Sequence, residues 1–258
     1  MCALGANDLW ISGTTGTLQH FDGAAWTATA NPATDTLFML WALAANDVRV
    51  VGRTCTALAW NGASWSVVAT TGCTTAHYFA IEGTATSNVW ITGTAGTILQ
   101  WNGAWTDRSQ GNDDYWDVHV TSASDVYAVG TKGSILHWNG STFVAEPSGS
   151  NVITLASIWS PSNGDYWIVG SGGTILHKVG AGAWTAVASP TTQFLYSVNG
   201  TSASDVWAVG SGGVILHYDG TSWSNVASPT TATLRNITVV PGAGLAAVGN
   251  GGILLTHP

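Results

Sequence analysis

The sequence repeats one pattern seven times with a period of about 39 residues. In each copy a glycine ends a segment similar to Val-Trp-Ala-Val-Gly, and successive copies of this glycine lie 37 to 41 residues apart. They are Gly13, Gly52, Gly93, Gly130, Gly170, Gly210 and Gly249. Such a period indicates stacked supersecondary units, because one unit cannot bury its apolar face alone. We therefore predict that residues 1–258 form a single repeat domain.

Each repeat is predicted to contain four short strands, A to D. In the clearest copy they span 195–199, 206–210, 214–218 and 223–227. Gly212-Gly213 and Asp219-Gly220 join B to C and C to D, because these dipeptides supply the positive φ that tight hairpins need. Strands that are apolar at consecutive positions need cover on both faces, which radially stacked sheets provide. The prediction is an all-β, seven-bladed β-propeller of four-stranded blades of about 39 residues.

The blade count depends on the two ends of the chain. Seven full repeats would need about 275 residues, so the 258-residue chain is two strands short. The first repeat has B, C and D, with residues 1–4 as a short inner strand, and the last has A, B and C. The alternative is a six-bladed ring, in which residues 234–240 complete the first repeat and residues 245–257 are surplus.

Charge and hydropathy exclude several partners. Only 8% of the residues are charged and the net charge is −8, the wrong sign for neutralising phosphates. We therefore expect neither nucleic acid nor an anionic membrane as a partner. The longest apolar run has nine residues, whereas a membrane-spanning helix needs about 20, so no membrane insertion is expected.

The repeat motif resembles that of a known family. Its pattern is D-[VLY]-W-x-x-G-x-x-G-x-[IL]-L-H-x-[DN]-G-x-x-W, which residues 205–223 match throughout. It resembles the Trp-rich propeller repeats of secreted bacterial proteins and, more loosely, sialidase-type Asp-box repeats and photosystem II stability factor propellers. The Asp-box itself, S-x-D-x-G-x-T-W, is not matched. The resemblance covers essentially the whole chain and implies the propeller fold, but not an activity, and lectin propellers are an analogy.

Four histidines recur at one repeat position, each twelve residues after an aspartate. The pairs are Asp8 and His20, Asp125 and His137, Asp165 and His177, and Asp205 and His217. In the third repeat both members change together, to Asn88 and Gln100, which can still form a hydrogen bond. Coupled variation indicates that the two groups touch, and a catalytic pair would not need four copies. We therefore predict structural pairs that satisfy buried polar groups, and no catalytic residues.

The tryptophans of strands B and D recur in register and are predicted to pack between blades. Those of strand B are Trp10, Trp90, Trp167 and Trp207. Those of strand D are Trp26, Trp65, Trp105, Trp184 and Trp223. Their repetition favours a role in the core over a ligand site.

Positions that differ between repeats are free to carry function, and strand A differs most. One of its positions holds Phe38, Phe79, Trp116, Ala156, Tyr196 and Arg235, and another holds Trp41, Glu82, His119, Trp159, Asn199 and Thr238. In a propeller the innermost strands flank the central channel, where ligands often bind. The candidate ligand-binding residues are Phe38, Trp41, Phe79, Glu82, Trp116, Asp117, His119, Trp159, Tyr196 and Arg235.

Acidic residues outside the repeat motif concentrate in the third and fourth repeats. They are Glu82, Asp107, Asp113, Asp114 and Asp117. Carboxylates beside Trp116 suit sugar hydroxyls or a hard cation, and Asp113 and Asp114 are candidate Ca²⁺ ligands. The alternative is a solvated acidic loop. We expect no other cofactor.

The motifs favour binding over catalysis. No zincin, P-loop or nucleophile-elbow signature is present. Sialidases use three arginines at the channel mouth, whereas the four arginines here are scattered. Glu82 with Asp117 or Asp114 leaves a glycoside hydrolase or lyase as a less favoured alternative. We expect a non-enzymatic, lectin-like module that binds carbohydrate or a glycoconjugate. The alternative is a protein-interaction scaffold or a structural domain of a larger secreted protein.

Cysteine positions bear on structure and location. Cys55 replaces a glycine in the B-to-C turn of the second repeat, and Cys73 lies in the following D-to-A loop. Both loops should open on the same face, so a disulfide is expected, with Cys2 left over. Few lysines and many Thr, Ser, Gly and Asn favour a secreted or periplasmic bacterial protein. The first eight residues lack the features of a signal peptide.

Overall fold

The protein is an all-β chain whose strands form seven antiparallel sheets. The computed structural model describes residues 1–162 and 164–257. Within them six sheets have four strands and one has three. We number the sheets as blades 1 to 7 in chain order and letter the strands of each blade A to D. No helix in these residues is long and apolar enough to cross a membrane.

The strands follow one another through the blades in chain order. Blades 1 and 2 contain β1 (Cys2–Gly5), β2 (Asp8–Ser12), β3 (Leu18–Phe21), β4 (Trp26–Ala28), β5 (Leu37–Ala44), β6 (Asp47–Gly52), β7 (Ala57–Trp60) and β8 (Trp65–Val67). Blades 3 and 4 contain β9 (Tyr78–Ala85), β10 (Asn88–Gly93), β11 (Ile98–Trp101), β12 (Trp105–Asp107), β13 (Tyr115–Ser122), β14 (Asp125–Gly130), β15 (Ile135–Trp138) and β16 (Phe143–Glu146). Blades 5 and 6 contain β17 (Leu155–Ser162), β18 (Asp165–Gly170), β19 (Ile175–Val179), β20 (Thr185–Ala186), β21 (Leu195–Ser202), β22 (Asp205–Gly210), β23 (Ile215–Tyr218) and β24 (Trp223–Val226). Blade 7 contains β25 (Leu234–Val240), β26 (Gly244–Gly249) and β27 (Leu254–His257).

The seven sheets confirm the seven-bladed β-propeller, and the six-bladed alternative is wrong. β1 lies beside β2 as strand A of blade 1, close to the short strand expected over residues 1–4. β25 does not complete blade 1, because it belongs to the same sheet as β26 and β27.

The chain divides into two compact units. The first contains Met1–Ala123 and Val240–Gly242, and the second contains Ser124–Val239 and the residues from Ala243 onward. Blades 1 to 3 and β13 lie in the first unit. The other strands lie in the second, apart from Val240 at the end of β25.

Side-chain oxygens close the C-to-D hairpins. The Oδ1 atoms of Asp22, Asn61, Asn139 and Asp219 each accept the backbone N–H groups of the residues two and three positions later. These backbone N–H groups hold the pKa of Asp22 and of Asp219 below the usual value. The glycine that follows each has a φ between 90° and 95°, which explains the repeated Asp-Gly and Asn-Gly dipeptides.

The B-to-C turns contact the loops that lead into the next strand A. The N–H groups of Gly16, Gly96 and Gly133 each donate to a loop carbonyl at 2.7 Å. In blade 2 the equivalent residue is Cys55, whose N–H donates to the Ala76 carbonyl at 2.8 Å. Cys55 also forms a disulfide with Cys73. The remaining cysteine, Cys2, is free, and burial raises the pKa of its thiol to about 12, which keeps it protonated.

Aromatic side chains of strands B and D meet between neighbouring blades. The rings of Trp10 in blade 1 and Trp65 in blade 2 pack edge-on with centroids 5.5 Å apart. Trp167 and Trp223 repeat this contact between blades 5 and 6 at 5.4 Å. The aliphatic residues of strands A, B and C fill the same layers, so each buried cluster joins two consecutive blades.

Candidate functional site

The first variable position of strand A is a β-bulge in at least four blades. The ladder between strands A and B skips Phe38, Phe79, Ala156 and Tyr196. An extra residue in one strand is left unpaired, and its side chain is redirected. Variation between the repeats therefore located positions whose side chains do not follow the regular alternation of the strand.

In the first unit three side chains at the first variable position form a continuous row. The rings of Phe38 on β5 and Phe79 on β9 are 5.6 Å apart and inclined at 65°. The ring of Trp116 on β13 lies 5.8 Å from that of Phe79 and is inclined at 45°. All three side chains are half-buried. We call Phe38, Phe79 and Trp116 the aromatic row.

The second variable position places Glu82 beside His119. The Glu82 Oε2 atom lies 3.2 Å from His119 Nδ1, and the Glu82 side chain is 30% exposed. Asp117 is buried, and its Oδ1 atom accepts the N–H of Val118 at 2.9 Å. Strands β9 and β13 therefore bring one partly exposed carboxylate and one histidine to neighbouring positions.

Trp41, at the same position in blade 2, contacts an arginine that the sequence analysis did not single out. Arg49 lies opposite Trp41 on β6, with its guanidinium carbon 5.9 Å from the ring centroid. Its Nε atom donates to Asp47 Oδ1 at 3.1 Å. In blade 2 the histidine of the Asp–His pair is replaced by Ala59, and Arg49 is the partner of the remaining aspartate.

The acidic residues of the third and fourth repeats stabilise local structure. Asp114 Oδ1 accepts the N–H of Ala95 at 2.9 Å, and Asp107 Oδ1 accepts the N–H of Ser109 at 2.9 Å. Over residues 1–162 and 164–257 no group of three or more His, Cys, Asp or Glu side chains is placed to hold a metal ion. Ca²⁺ binding by Asp113 and Asp114 stays a prediction.

In the second unit the candidates separate into two places. The ring of Tyr196 stacks on that of Phe194 at 4.4 Å, and the Arg235 guanidinium carbon lies 4.3 Å from the Tyr196 centroid. Phe194 precedes strand A and was not among the candidates. Trp159 packs instead into the layer between blades 5 and 6, where a Cβ atom on Gly200 would lie 2.9 Å from its ring. Ala156 is buried and offers no functional group.

The four Asp–His pairs are in hydrogen-bond contact. Their Oδ1 to Nε2 distances are 2.8 Å for Asp8 and His20, 2.6 Å for Asp125 and His137, 2.7 Å for Asp165 and His177, and 2.8 Å for Asp205 and His217. Each imidazole also stacks on the aromatic residue of strand B, at 3.9 to 4.2 Å. The side chains of these histidines are about a quarter exposed. One motif thus holds a histidine between a ring and a carboxylate.

A buried charged cluster between blades 4 and 5 was missed from the sequence. The Nζ atom of Lys178 lies 2.7 and 2.6 Å from the two carboxylate oxygens of Glu146, and 2.9 Å from Tyr127 Oη. Trp184 Nε1 donates to Glu146 at 2.7 Å. Burial and the Glu146 carboxylate raise the pKa of Tyr127. The sequence signal was Lys178 itself, because five of the other six blades have Phe, Trp or Tyr at that strand C position and blade 7 has His257.

Comparisons with known proteins support the fold. No protein-family model matches the chain, and no curated protein matches it. Solved structures similar to the chain include YCF48 bound to D1 peptide (17% identity, TM-score 0.80, 99% of this chain and 89% of that one), YCF48 from Cyanidioschyzon merolae (18%, 0.76, 97% and 91%) and the WD40 β-propeller domain of Doa1 (12%, 0.80, 98% and 90%). At these identities the likeness shows the fold alone. It agrees with the expected resemblance to propellers that include the photosystem II stability factor, but not specifically with the Trp-rich bacterial repeats.

Proposed function

We propose that this chain is a non-enzymatic protein-interaction module that binds an extended peptide segment of a partner protein. The observation that carries the proposal is the aromatic row, in which three half-exposed rings on three strands contact one another in sequence. Aromatic residues are enriched at the centres of protein interfaces, where they supply a large part of the binding energy. In one of the similar structures YCF48 is bound to a D1 peptide, which supports a peptide as the class of ligand.

The inclination of the rings also favours a peptide. A sugar ring stacks flat on one open aromatic face, whereas planes inclined at 65° and 45° form a ridged surface. Such a surface suits apolar side chains that project from an extended backbone.

Carbohydrate binding, the main expectation from the sequence, has no support from the comparisons. In the second unit the ring of Tyr196 is already engaged by Phe194 and Arg235, which leaves less of it for a sugar.

Charge restricts the partner further. The chain has a net charge of −8, and the partly exposed carboxylate of Glu82 lies in the same unit as the aromatic row. Opposite charge accelerates association and suppresses unsuitable partners. We therefore propose a segment that combines apolar or aromatic side chains with neutral or positive charge.

A peptide-display selection tests this function. Peptides selected from a random library against the purified chain are synthesised, and their Kd is measured by fluorescence anisotropy for the wild type, Phe79→Ala and Trp116→Ala. We expect each substitution to weaken binding at least roughly tenfold, because loss of an interface anchor costs about 1 to 2 kcal/mol. Val67→Ala is the matched control, since Val67 is 69% exposed on β8 and lies outside the aromatic row. It should leave Kd unchanged.

A glycan array measured with the same protein preparations separates the two classes of ligand. Selective glycan binding that Trp116→Ala abolishes, without any enriched peptide, would overturn the proposal in favour of a lectin. Enriched peptides that bind Phe79→Ala and Trp116→Ala as tightly as the wild type would also contradict it. Circular dichroism of each variant shows that the fold is retained.

A further inference from the structure

Arg235 is the only lysine or arginine in blades 6 and 7. Over residues 179–258 the sequence has no other residue of either type. Arg235 lies on β25, at the edge of its sheet opposite β27, and its side chain is exposed. These two blades therefore offer one permanent positive charge to an anionic ligand.

The guanidinium group of Arg235 is held in a defined orientation. Its carbon lies 4.3 Å from the ring centroid of Tyr196 on β21, and its Nε atom donates to Asn250 Oδ1 at 3.1 Å. The Tyr196 ring is itself stacked on Phe194, with centroids 4.4 Å apart. A guanidinium that is stacked on a ring and bonded through Nε loses less conformational freedom when it binds a ligand.

In the part of the chain that the structure describes, Arg235 has no carboxylate partner. Its side chain forms one hydrogen bond there, to the amide oxygen of Asn250. Arg49 in blade 2 is different, because its Nε atom donates to the Asp47 carboxylate at 3.1 Å. The two terminal nitrogens of the Arg235 guanidinium therefore remain as donors for a ligand.

We propose that Arg235, held by Tyr196 and Asn250, binds a carboxylate group of a ligand. The terminal nitrogens of a guanidinium match the two oxygens of a carboxylate and form parallel, charge-assisted hydrogen bonds with them. One arginine neutralises one carboxylate, whereas a side-chain phosphate carries about −2 charges at pH 7. The carboxylate belongs to an acidic side chain or to the carboxyl terminus of a polypeptide, and the rest of the ligand is free to be neutral or positive. The site lies in the second unit and does not rest on the aromatic row.

Arginine side-chain NMR tests the proposal in the intact chain. The sequence has four arginines, and the Nε–H signal of Arg235 in ¹⁵N-labelled protein is assigned by its loss in Arg235→Met. The probes are N-acetylphenylalanine, which carries a carboxylate, and its neutral amide, which retains the ring. We expect the carboxylate to shift the Arg235 signal saturably with a Kd of about 1 to 10 mM, and the amide to leave it unchanged.

Arg53 provides the internal control. It is exposed in the first unit, and in the described part of the chain its side chain has no hydrogen bond or ring contact. Its Nε–H signal should not shift, and Arg53→Met should leave the Kd at Arg235 unchanged. Asn250→Ser copies Ser211 of the equivalent turn in blade 6. We expect this variant and Tyr196→Leu each to raise the Kd roughly three- to fivefold, because the guanidinium loses one of its supports.

A peptide array distinguishes the two sources of the carboxylate. Its peptides have random sequences with or without Asp and Glu, and they end in a free carboxylate or in an amide. Binding confined to free termini identifies a terminal carboxylate, and binding confined to peptides with Asp or Glu identifies an acidic side chain. In both cases Arg235→Met should weaken binding at least roughly tenfold, and Arg53→Met should not.

Three results would overturn the proposal. One is an Arg235 signal that does not shift with N-acetylphenylalanine up to about 100 mM, far above the expected Kd. Another is an equal shift of the Arg235 and Arg53 signals, which would show unspecific attraction of anions. The third is a Kd for inorganic phosphate equal to or lower than that for the carboxylate, because the site would then select charge and not the planar carboxylate.

Discussion

At the residue scale, the carboxylate of the Asp–His motif accepts hydrogen bonds from several donors at once, and these bonds hold the motif together. Asp205 accepts hydrogen bonds from Trp207 Nε1 and His217 Nε2, both at 2.8 Å, and from the hydroxyl of Thr201. Burial raises the pKa of Asp205, but the hydrogen bonds from Thr201, Trp207 and His217 outweigh it, and the net pKa is lowered. The twelve-residue spacing predicted the contact of Asp with His. The indole donor and the ring stacking became visible only in the folded chain.

The lowered pKa of Asp205 predicts a pH dependence of stability. A carboxylate with a lowered pKa stabilises the fold above its unfolded pKa of 3.8, and this contribution is lost as the pH falls through the folded pKa. We expect Asp205→Asn to lower the free energy of unfolding at pH 7 and to approach the wild type below about pH 4. Urea unfolding at pH 7, 4 and 3 measures the difference.

A double variant is the control for this prediction. Asp205→Asn with His217→Gln copies the pair Asn88 and Gln100 of blade 3, and it should regain part of the stability at pH 7. A difference between Asp205→Asn and the wild type that stays constant from pH 7 to pH 3 would contradict the role of the ionised carboxylate.

At the scale of elements, the B-to-C turn explains why adjacent glycines are not equivalent. Gly212 and Gly213 have φ values of 66° and 75°, so both lie in the left-handed region. A Cβ atom on Gly213 would lie 1.9 Å from the Thr230 carbonyl oxygen, whereas one on Gly212 would meet nothing within 4 Å. In blade 2 the residue equivalent to Gly213 is Cys55, and there the adjoining loop is joined to the turn by the disulfide. At Gly213, glycine is therefore required both by the left-handed turn conformation and by the close approach of the loop at Thr230.

The two glycines give a matched pair of substitutions. Gly212→Ala should cost about 1 kcal/mol, because only the left-handed conformation is penalised. Gly213→Ala should cost about 3 kcal/mol or more, because the loop at Thr230 must also move. Thermal and urea unfolding measure both. Equal decreases in the free energy of unfolding for the two variants would show that the loop at Thr230 moves without an energetic penalty.

At the scale of the molecule, the buried packing between consecutive blades is mostly aromatic and aliphatic, but it also contains a buried lysine paired with a glutamate. Lys178 and Glu146 lie between blades 4 and 5. The same two positions between blades 5 and 6 hold Tyr218 and Val187. A buried ion pair contributes little net stability, but loss of one partner leaves an uncompensated charge. This cluster therefore distinguishes one blade interface from its neighbours within the second unit.

Exchange of these residues tests that energetic account. Lys178→Met should lower the free energy of unfolding by about 3 kcal/mol, because Glu146 is left without its cation. The double variant Lys178→Tyr with Glu146→Val copies the interface of blades 5 and 6, and it should recover most of the loss. Urea unfolding at pH 7 measures both variants. If the free energy of unfolding of Lys178→Met equals that of the wild type, the ion pair does not contribute to the stability of the fold.

Only part of the candidate site was predictable. Variation among the repeats selected Phe38, Phe79 and Trp116, and the structure brings these three into contact. The same criterion selected Trp159, which is partly buried and packs against the apolar cluster between blades 5 and 6. It missed Phe194, because that residue lies before strand A. Variation between repeats indicates that the residue is not required by the repeat fold, but it does not indicate which way the side chain points.

The sequence by itself determined the seven repeats, the strand order within each and the hairpins that join strands B, C and D. These follow from short-range chemistry, namely short apolar segments and dipeptides that tolerate positive φ. Only the tertiary structure decided which side chains meet across strands about 40 residues apart. The aromatic row and the Lys178–Glu146 pair are both of this kind. They depend on bulges, ring inclinations and the cover supplied by a neighbouring sheet, and none of these is a property of a local segment.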